Sequence, residues 1–198
     1  IPGWRRHRAA VSTTIMENML MPGDLTLARF LRTIEPTIYS LYESRADMTD
    51  HLIVDFAALA TGDKTFRLKD QAGKTVILYF YPKDSTPGCT TEATEFRDLY
   101  PEFVKAGCVI VGVSRDSVRS HEKFKAKLDL PFDLLADTDE ALCQQFSVIA
   151  EKKLYGKLVR GIRRSTFVIG ADGTLRREWR DIKAPGHARE VLGFVKTL

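Results

Sequence analysis

The chain has 198 residues, 44% of them apolar and 28% charged, and carries a formal net charge of +4. That length holds one domain of common size plus an extension, with enough apolar residues for a packed core. The small charge excess is spread along the chain, which argues against nucleic-acid binding, and no apolar stretch approaches the ~18 residues of a membrane span. Three cysteines without a C-x-x-C pair argue against a disulfide framework, a zinc site or a dithiol motif, and free thiols fit a reducing, cytoplasmic setting.

Residues 1–47 do not read like the rest and are taken as an N-terminal extension. Ile1 to Met16 carries Arg5, Arg6 and Arg8 and no acid, mildly like a transit peptide, but Glu17, Asp24, Glu35, Glu43 and Asp47 then spoil that reading. Leu25 to Ile34 has the spacing of a short amphipathic helix before Pro36. An upstream-extended gene model, a docking arm and a targeting segment compete, in that order. Met48 is the natural start of a domain spanning 48–198.

Within that domain Thr65 to Leu68 is the first expected strand, ended by Asp70 to Gly73. Thr75 to Tyr81, rich in β-branched and aromatic residues, reads as a strand covered on both faces. Pro82, Pro87 and Gly88 mark a tight loop after it. Ala93, Phe96, Leu99, Tyr100 and Phe103 then recur at helical spacing. Cys89 therefore falls at the first turn of a helix fed by a core strand. Unpaired backbone N–H groups and the positive end of the helix dipole favour a thiolate there, and a thiolate is a nucleophile.

Cys108 to Ser114 reads as a second buried strand and Ser117 to Leu128 as an amphipathic helix. Phe132 to Ala136 is an expected strand, and Thr138 to Phe146 an expected helix with acids in its first turn. A long basic loop holding Lys152, Lys153, Lys157 and Arg160 leads to a strand over Ser165 to Ile169. Asp172-Gly173 signals a hairpin to a partner strand, Leu175 to Arg180. Gly186 to Leu198 closes the chain as a helix with Ala188, Val191, Leu192 and Val195 on one face. This alternation predicts an α/β protein, a mixed central sheet with helices on both faces.

Pro82, Thr86 and Cys89 stand as P-x-x-x-T-x-x-C. The whole segment Tyr79 to Phe96, YFYPKDSTPGCTTEATEF, resembles the active-site segment of the peroxiredoxins, and among them the bacterioferritin-comigratory, or peroxiredoxin Q, branch. Val111 to Ser117, Arg164 to Phe167 and Pro185 to Ala188 extend the resemblance, which runs in order from about Leu52 to Leu198.

The resemblance implies a thioredoxin-like fold and a thiol peroxidase acting on hydrogen peroxide or alkyl hydroperoxides. Cys89 is then the peroxidatic nucleophile. Thr86 turns its hydroxyl towards thiolate and peroxide, Pro82 walls the pocket, and Arg164 lies beside the sulfur. Backbone N–H groups of Gly88 and Cys89 complete the donors, and Glu92 is a candidate to position the arginine. Arg163 is the competing arginine, set aside because Arg164 directly precedes Ser-Thr-Phe. His121 and His187 read as helix residues outside any triad with Cys89.

Where relatives in this branch keep a resolving cysteine, this chain has Thr94 or Lys125. Cys108 and Cys143 read as inert buried thiols. A one-cysteine peroxidase is therefore expected, reduced by thioredoxin, glutaredoxin or glutathione. No haem, flavin or metal cofactor is implied, and a monomer is expected, as is frequent in this branch. The rival readings are a thioredoxin-like thiol–disulfide oxidoreductase or glutathione-conjugating protein, a redox-sensing or holdase module without efficient peroxide turnover, and nucleic-acid binding through the basic loop from Lys152 to Arg164.

Overall fold

A computed structural model describes residues 52–154 and 157–198. The extension 1–47 and its expected helix over 25–34 lie outside the described residues. The strands are β1 (Ala57–Ala60), β2 (Lys64–Arg67), β3 (Thr75–Phe80), β4 (Cys108–Ser114), β5 (Asp133–Ala136), β6 (Ile149–Leu154), β7 (Lys157–Ile162), β8 (Ser165–Ile169) and β9 (Leu175–Arg180). The α-helices are α1 (Pro87–Asp98), α2 (Tyr100–Lys105), α3 (Val118–Leu128), α4 (Ala141–Gln145) and α5 (His187–Val195).

Seven strands form one sheet in the order β2-β1-β5-β4-β3-β8-β9, and β6 pairs with β7 in a separate ribbon. The sheet is mixed: β4 is parallel to β3 and β5, while β8 is antiparallel to β3 and β9. The apolar run Thr75-Val-Ile-Leu-Tyr-Phe80 takes an inner position because both of its faces need cover. Val76, Leu78 and Phe80 point into one core with Val111, Phe146, Phe167 and Cys143. Ile77, Tyr79 and Tyr81 point into the other with Cys89, Phe96, Phe103, Phe124 and Val191. Each such side chain, once buried, contributes about 1.5–3 kcal/mol. The second core lies under α1, α2, α3 and α5, whereas among the described residues the first carries the short helix α4 and Leu68 of a 3-10 turn. Among the described residues no helix is long and apolar enough to cross a membrane.

Tyr79 crosses its neighbour strand closely. Its register partner is Gly112, where an added Cβ would come within 2.6 Å of the Tyr79 ring and 2.8 Å of Leu134. A glycine here lets Tyr79 stack on Phe96, at 4.8 Å between ring centroids, and so bring α1 down onto β3.

Four expectations are corrected. Ala57–Ala60, not foreseen as a strand, is sheet because β2 and β5 pair with its two edges. The expected single helix after Cys89 breaks at Leu99, since Pro101 has no N–H to continue it and instead sits in the first turn of α2. The helix expected over Thr138 to Phe146 is only Ala141–Gln145, because the Asp137 carboxylate accepts from the N–H groups of Leu142 and Cys143, at 2.9 and 2.8 Å, and sets its start. The expected basic loop is the hairpin β6–β7, whose backbone pairing runs from Ile149 opposite Ile162 to Leu154 opposite Lys157. At its foot Arg160 pairs with Glu140 at 2.7 Å, and Arg115 pairs with the same carboxylate at 2.8 Å.

Candidate active site

The end of β3 feeds a loop, residues 82–86, and the loop feeds α1. Thr86 is the N-cap with extended backbone, and Pro87 takes the first helical position, where a missing N–H costs nothing. The first intrahelical bond runs from Thr90 N–H to Thr86 C=O at 2.9 Å. The N–H groups of Gly88 and Cys89 precede it, at the positive end of the helix. Cys89 is 1% exposed and packs among the aromatic side chains of the second core.

Arg164 arrives from the other side. Phe80 pairs with Ser165, so the residue before β8 emerges beside the end of β3. Its Nη2 donates to Cys89 Sγ at 3.2 Å, and its Nη1 donates to Glu92 Oε2. One guanidinium fork thus spans the sulfur and a carboxylate one turn along the same helix. Gly88 makes room for it, since a Cβ there would lie 3.3 Å from Nη2. Arg163 instead meets Asp181 at the surface, at 3.3 Å.

Thr86 is half-buried, and its hydroxyl donates to the Lys83 carbonyl at 3.0 Å. Pro82 is exposed, two residues after the end of β3. Glu92 is wholly buried. Burial pushes its carboxyl up to about 7, against the pull of the Arg164 charge. Its Oε1 and the Tyr79 hydroxyl are the buried side-chain atoms without a hydrogen-bond partner among the described residues.

Glu92 makes the stability of the fold fall with pH. Its folded value of about 7 lies above that of a free glutamate, so its stabilising share is full below about pH 4.5 and is lost as pH rises through 7. His187, driven to about 4 by burial, acts the other way, because its contribution is lost as pH falls below 6.5. Urea unfolding of wild type and Glu92→Gln at pH 5 and pH 8 separates the two, since His187 is common to both. Wild type is expected to lose on the order of 3 kcal/mol relative to Glu92→Gln across that interval. Superimposable pH profiles would mean that Glu92 titrates like an exposed carboxylate.

The other thiols stand apart. Cys143 lies in the first core, on the opposite face of the sheet from Cys89. Burial, with the Asp137 carboxylate behind it, pushes its thiol far up. Cys108 opens β4 opposite Thr75, at the far end of the strand pair, and burial pushes its thiol up to about 11. Six residues of strand span about 20 Å, against the ~7 Å between Cα atoms that a disulfide allows. Thr94 is half-buried on α1. Lys125 on α3 donates to Asp133 at 2.6 Å and to the Thr61 hydroxyl at 3.4 Å, which ties the helix to the sheet. His187 bonds the Thr166 hydroxyl at 2.9 Å. Sequence reasoning missed Asp84, an acid 7% exposed inside the loop. Its position inside an otherwise exposed, proline-rich segment gives no signal of burial.

The family model described as AhpC/TSA family matches residues 49–178. Peroxiredoxin Bcp of Xanthomonas campestris is 53% identical over 139 residues, covering 70% of this chain and 86% of that protein. A solved structure of Xanthomonas campestris peroxiredoxin Q superposes with a TM-score of 0.72 at 49% identity, covering 76% of this chain and 98% of that one. Another, of Xanthomonas campestris bacterioferritin comigratory protein, has a TM-score of 0.69 at 50% identity and covers 72% and 90% of the two chains. It comes from trapped-intermediate and ligand complexes that bear on the alkyl peroxide reduction activity of that protein.

Proposed function

This chain belongs to the AhpC/TSA family, in its peroxiredoxin Bcp or peroxiredoxin Q branch with a thioredoxin-like fold, and from that premise we propose how its thiol peroxidase activity is carried out. Cys89 is the attacking group. Its thiolate displaces on the terminal oxygen of a hydroperoxide, alkyl hydroperoxide or hydrogen peroxide. The O–O bond breaks, the alkoxide or hydroxide leaves and takes a proton, and Cys89 becomes a sulfenic acid. Arg164 holds positive charge against the sulfur and the peroxide oxygen. Thr86 moves its proton from the Lys83 carbonyl to the peroxide, and the N–H groups of Gly88 and Cys89 receive the developing charge. Pro82 limits water at the mouth of the site.

The second half-reaction uses a thiol from outside the chain. The observation that carries this is the placement of the other two cysteines, one behind the sheet and one a strand length away, with Lys125 in an ion pair where relatives keep a resolving thiol. An external thiol attacks the Cys89 sulfenic acid and releases water. A second thiol then attacks the mixed disulfide and restores Cys89. Thioredoxin, glutaredoxin and glutathione have the required chemistry, and a cytoplasmic monomer fits the free thiols.

Mass spectrometry of the intact chain after one equivalent of hydrogen peroxide tests this. The expected product gains about 16 Da, one oxygen, on Cys89 and contains no disulfide. A bond from Cys89 to Cys108 or Cys143 would overturn the one-cysteine cycle.

A further inference from the structure

Between Tyr81 and Cys89 one residue points inward. Pro82, Lys83, Ser85, Pro87 and Gly88 are exposed and Thr86 is half-buried, but Asp84 is 7% exposed. A buried carboxylate is costly unless its oxygens are bonded, and here both are. Oδ1 accepts from the Tyr81 hydroxyl at 2.8 Å and Oδ2 from the Ser120 hydroxyl at 2.7 Å. Both oxygens also lie against Nδ1 of His121, at 3.1 and 3.0 Å. His121 is wholly buried, and its Nε2 faces the Leu135 carbonyl at 3.1 Å. Both ring nitrogens are thus held by polar partners, Nδ1 also lying 3.2 Å from the Tyr81 hydroxyl. The backbone of Asp84 is fixed as well: its N–H donates to Asp116 Oδ2 at 2.9 Å, and the Ser114 hydroxyl holds that same oxygen at 2.8 Å. Burial pushes the Asp84 carboxyl up, and the bonds from His121 and Ser120 outweigh it and hold the group below its ordinary value.

The loop needs such an anchor. Ser85, next in the chain, is a non-glycine residue in the left-handed region at φ 59°, a conformation that persists only where its surroundings enforce it. Lys83, on the other side of Asp84, supplies the carbonyl that takes the Thr86 hydroxyl. Asp84 therefore governs both ends of the short segment that aims Thr86. Arg164 reaches the sulfur by a separate route, from the start of β8.

We propose that Asp84, held by His121, Ser120 and Tyr81, is a positioning residue that fixes the loop so that Thr86 and the first N–H groups of α1 meet the peroxide oxygens. Arg164 keeps the sulfur in place independently of it. The inference rests on Cys89 being the attacking thiol.

Two rates on the same sulfur separate the supports. Oxidation by hydrogen peroxide, followed by stopped flow, needs both the sulfur and the peroxide-holding loop. Alkylation by iodoacetamide, followed by mass spectrometry, needs the sulfur alone. Asp84→Asn removes the charge at nearly constant shape. Ser120→Ala removes one bond with a good helix former and supplies a second folded variant. Oxidation is expected to fall on the order of tenfold to a hundredfold in Asp84→Asn, and by a smaller factor in Ser120→Ala. Alkylation is expected to change less than about twofold in either, because Arg164 still faces the sulfur. Unchanged oxidation, or an equal fall in both rates, would overturn the positioning role. Cys89→Ser in the same assay keeps the two ideas apart: peroxide consumption that survives in it would sink the reading of Cys89 itself, whereas its loss beside an unaltered Asp84→Asn sinks only the role of Asp84.

Discussion

Replacing Cys89 by serine is expected to lower thiol-dependent peroxide consumption on the order of 10⁴-fold or more, because in the proposed mechanism one atom carries the reaction. The hydroxyl has nearly the shape of the thiol, so the site around it survives: Arg164 keeps Glu92, and Phe96 and Tyr79 keep their stack. What goes is the polarisable sulfur nucleophile. The folded chain therefore remains and turnover stops. Alanine at Cys108 or Cys143 should leave the first turnover unaltered, since those thiols lie a strand length away and behind the sheet. Thermal unfolding and peroxide consumption, measured on the same preparations, check both statements. Turnover surviving in Cys89→Ser would place the chemistry elsewhere.

Arg164→Ala is expected to cost about 10²–10³-fold in the rate of Cys89 oxidation, the range seen when one preorganised donor is removed from developing charge. Its loss strips the sulfur of its 3.2 Å partner and leaves the wholly buried Glu92 without its guanidinium. Unlike a change at Asp84, it should slow alkylation as well as oxidation. Arg164→Lys is expected to recover little, because an ammonium on a flexible stem cannot span sulfur and carboxylate as the planar fork does. Stopped-flow oxidation of Arg164→Ala and Arg164→Lys decides it. Near-normal rates in both would remove Arg164 from the chemistry.

Much of this was legible in the chain. The run from Val76 to Tyr81 could bury both faces only as an inner strand, and Pro87 with Gly88 announced the start of α1, so the setting of Cys89 followed from local chemistry. Arg164 was legible only through the resemblance, because it lies 75 positions from Cys89 and nothing nearby marks it. Other features were hidden for physical reasons. Ala57-Ala-Leu-Ala60 has no β preference of its own and is sheet because both of its edges are paired. The charges of Lys152, Lys153, Lys157 and Arg160 suggested a loop, yet backbone pairing in the β6–β7 ribbon sets Lys152 opposite Val159 and Arg160 opposite Glu151. Asp84 looked like an ordinary loop acid, since its partners other than Tyr81 are 32 to 37 positions away.

The register of β3 against β8 has a consequence in time. Cys89 and its loop emerge from synthesis before the guanidinium that meets the sulfur, which belongs to a residue added 75 positions later. They meet only when Ser165 settles opposite Phe80, and a slip of one residue would turn Arg164 to the other face of the sheet. Closing so long a stretch of chain is among the slow steps of folding. A growing or half-folded chain thus carries a cysteine without its cationic partner. On the proposed mechanism, full reactivity towards peroxide therefore waits for β8 to pair with β3.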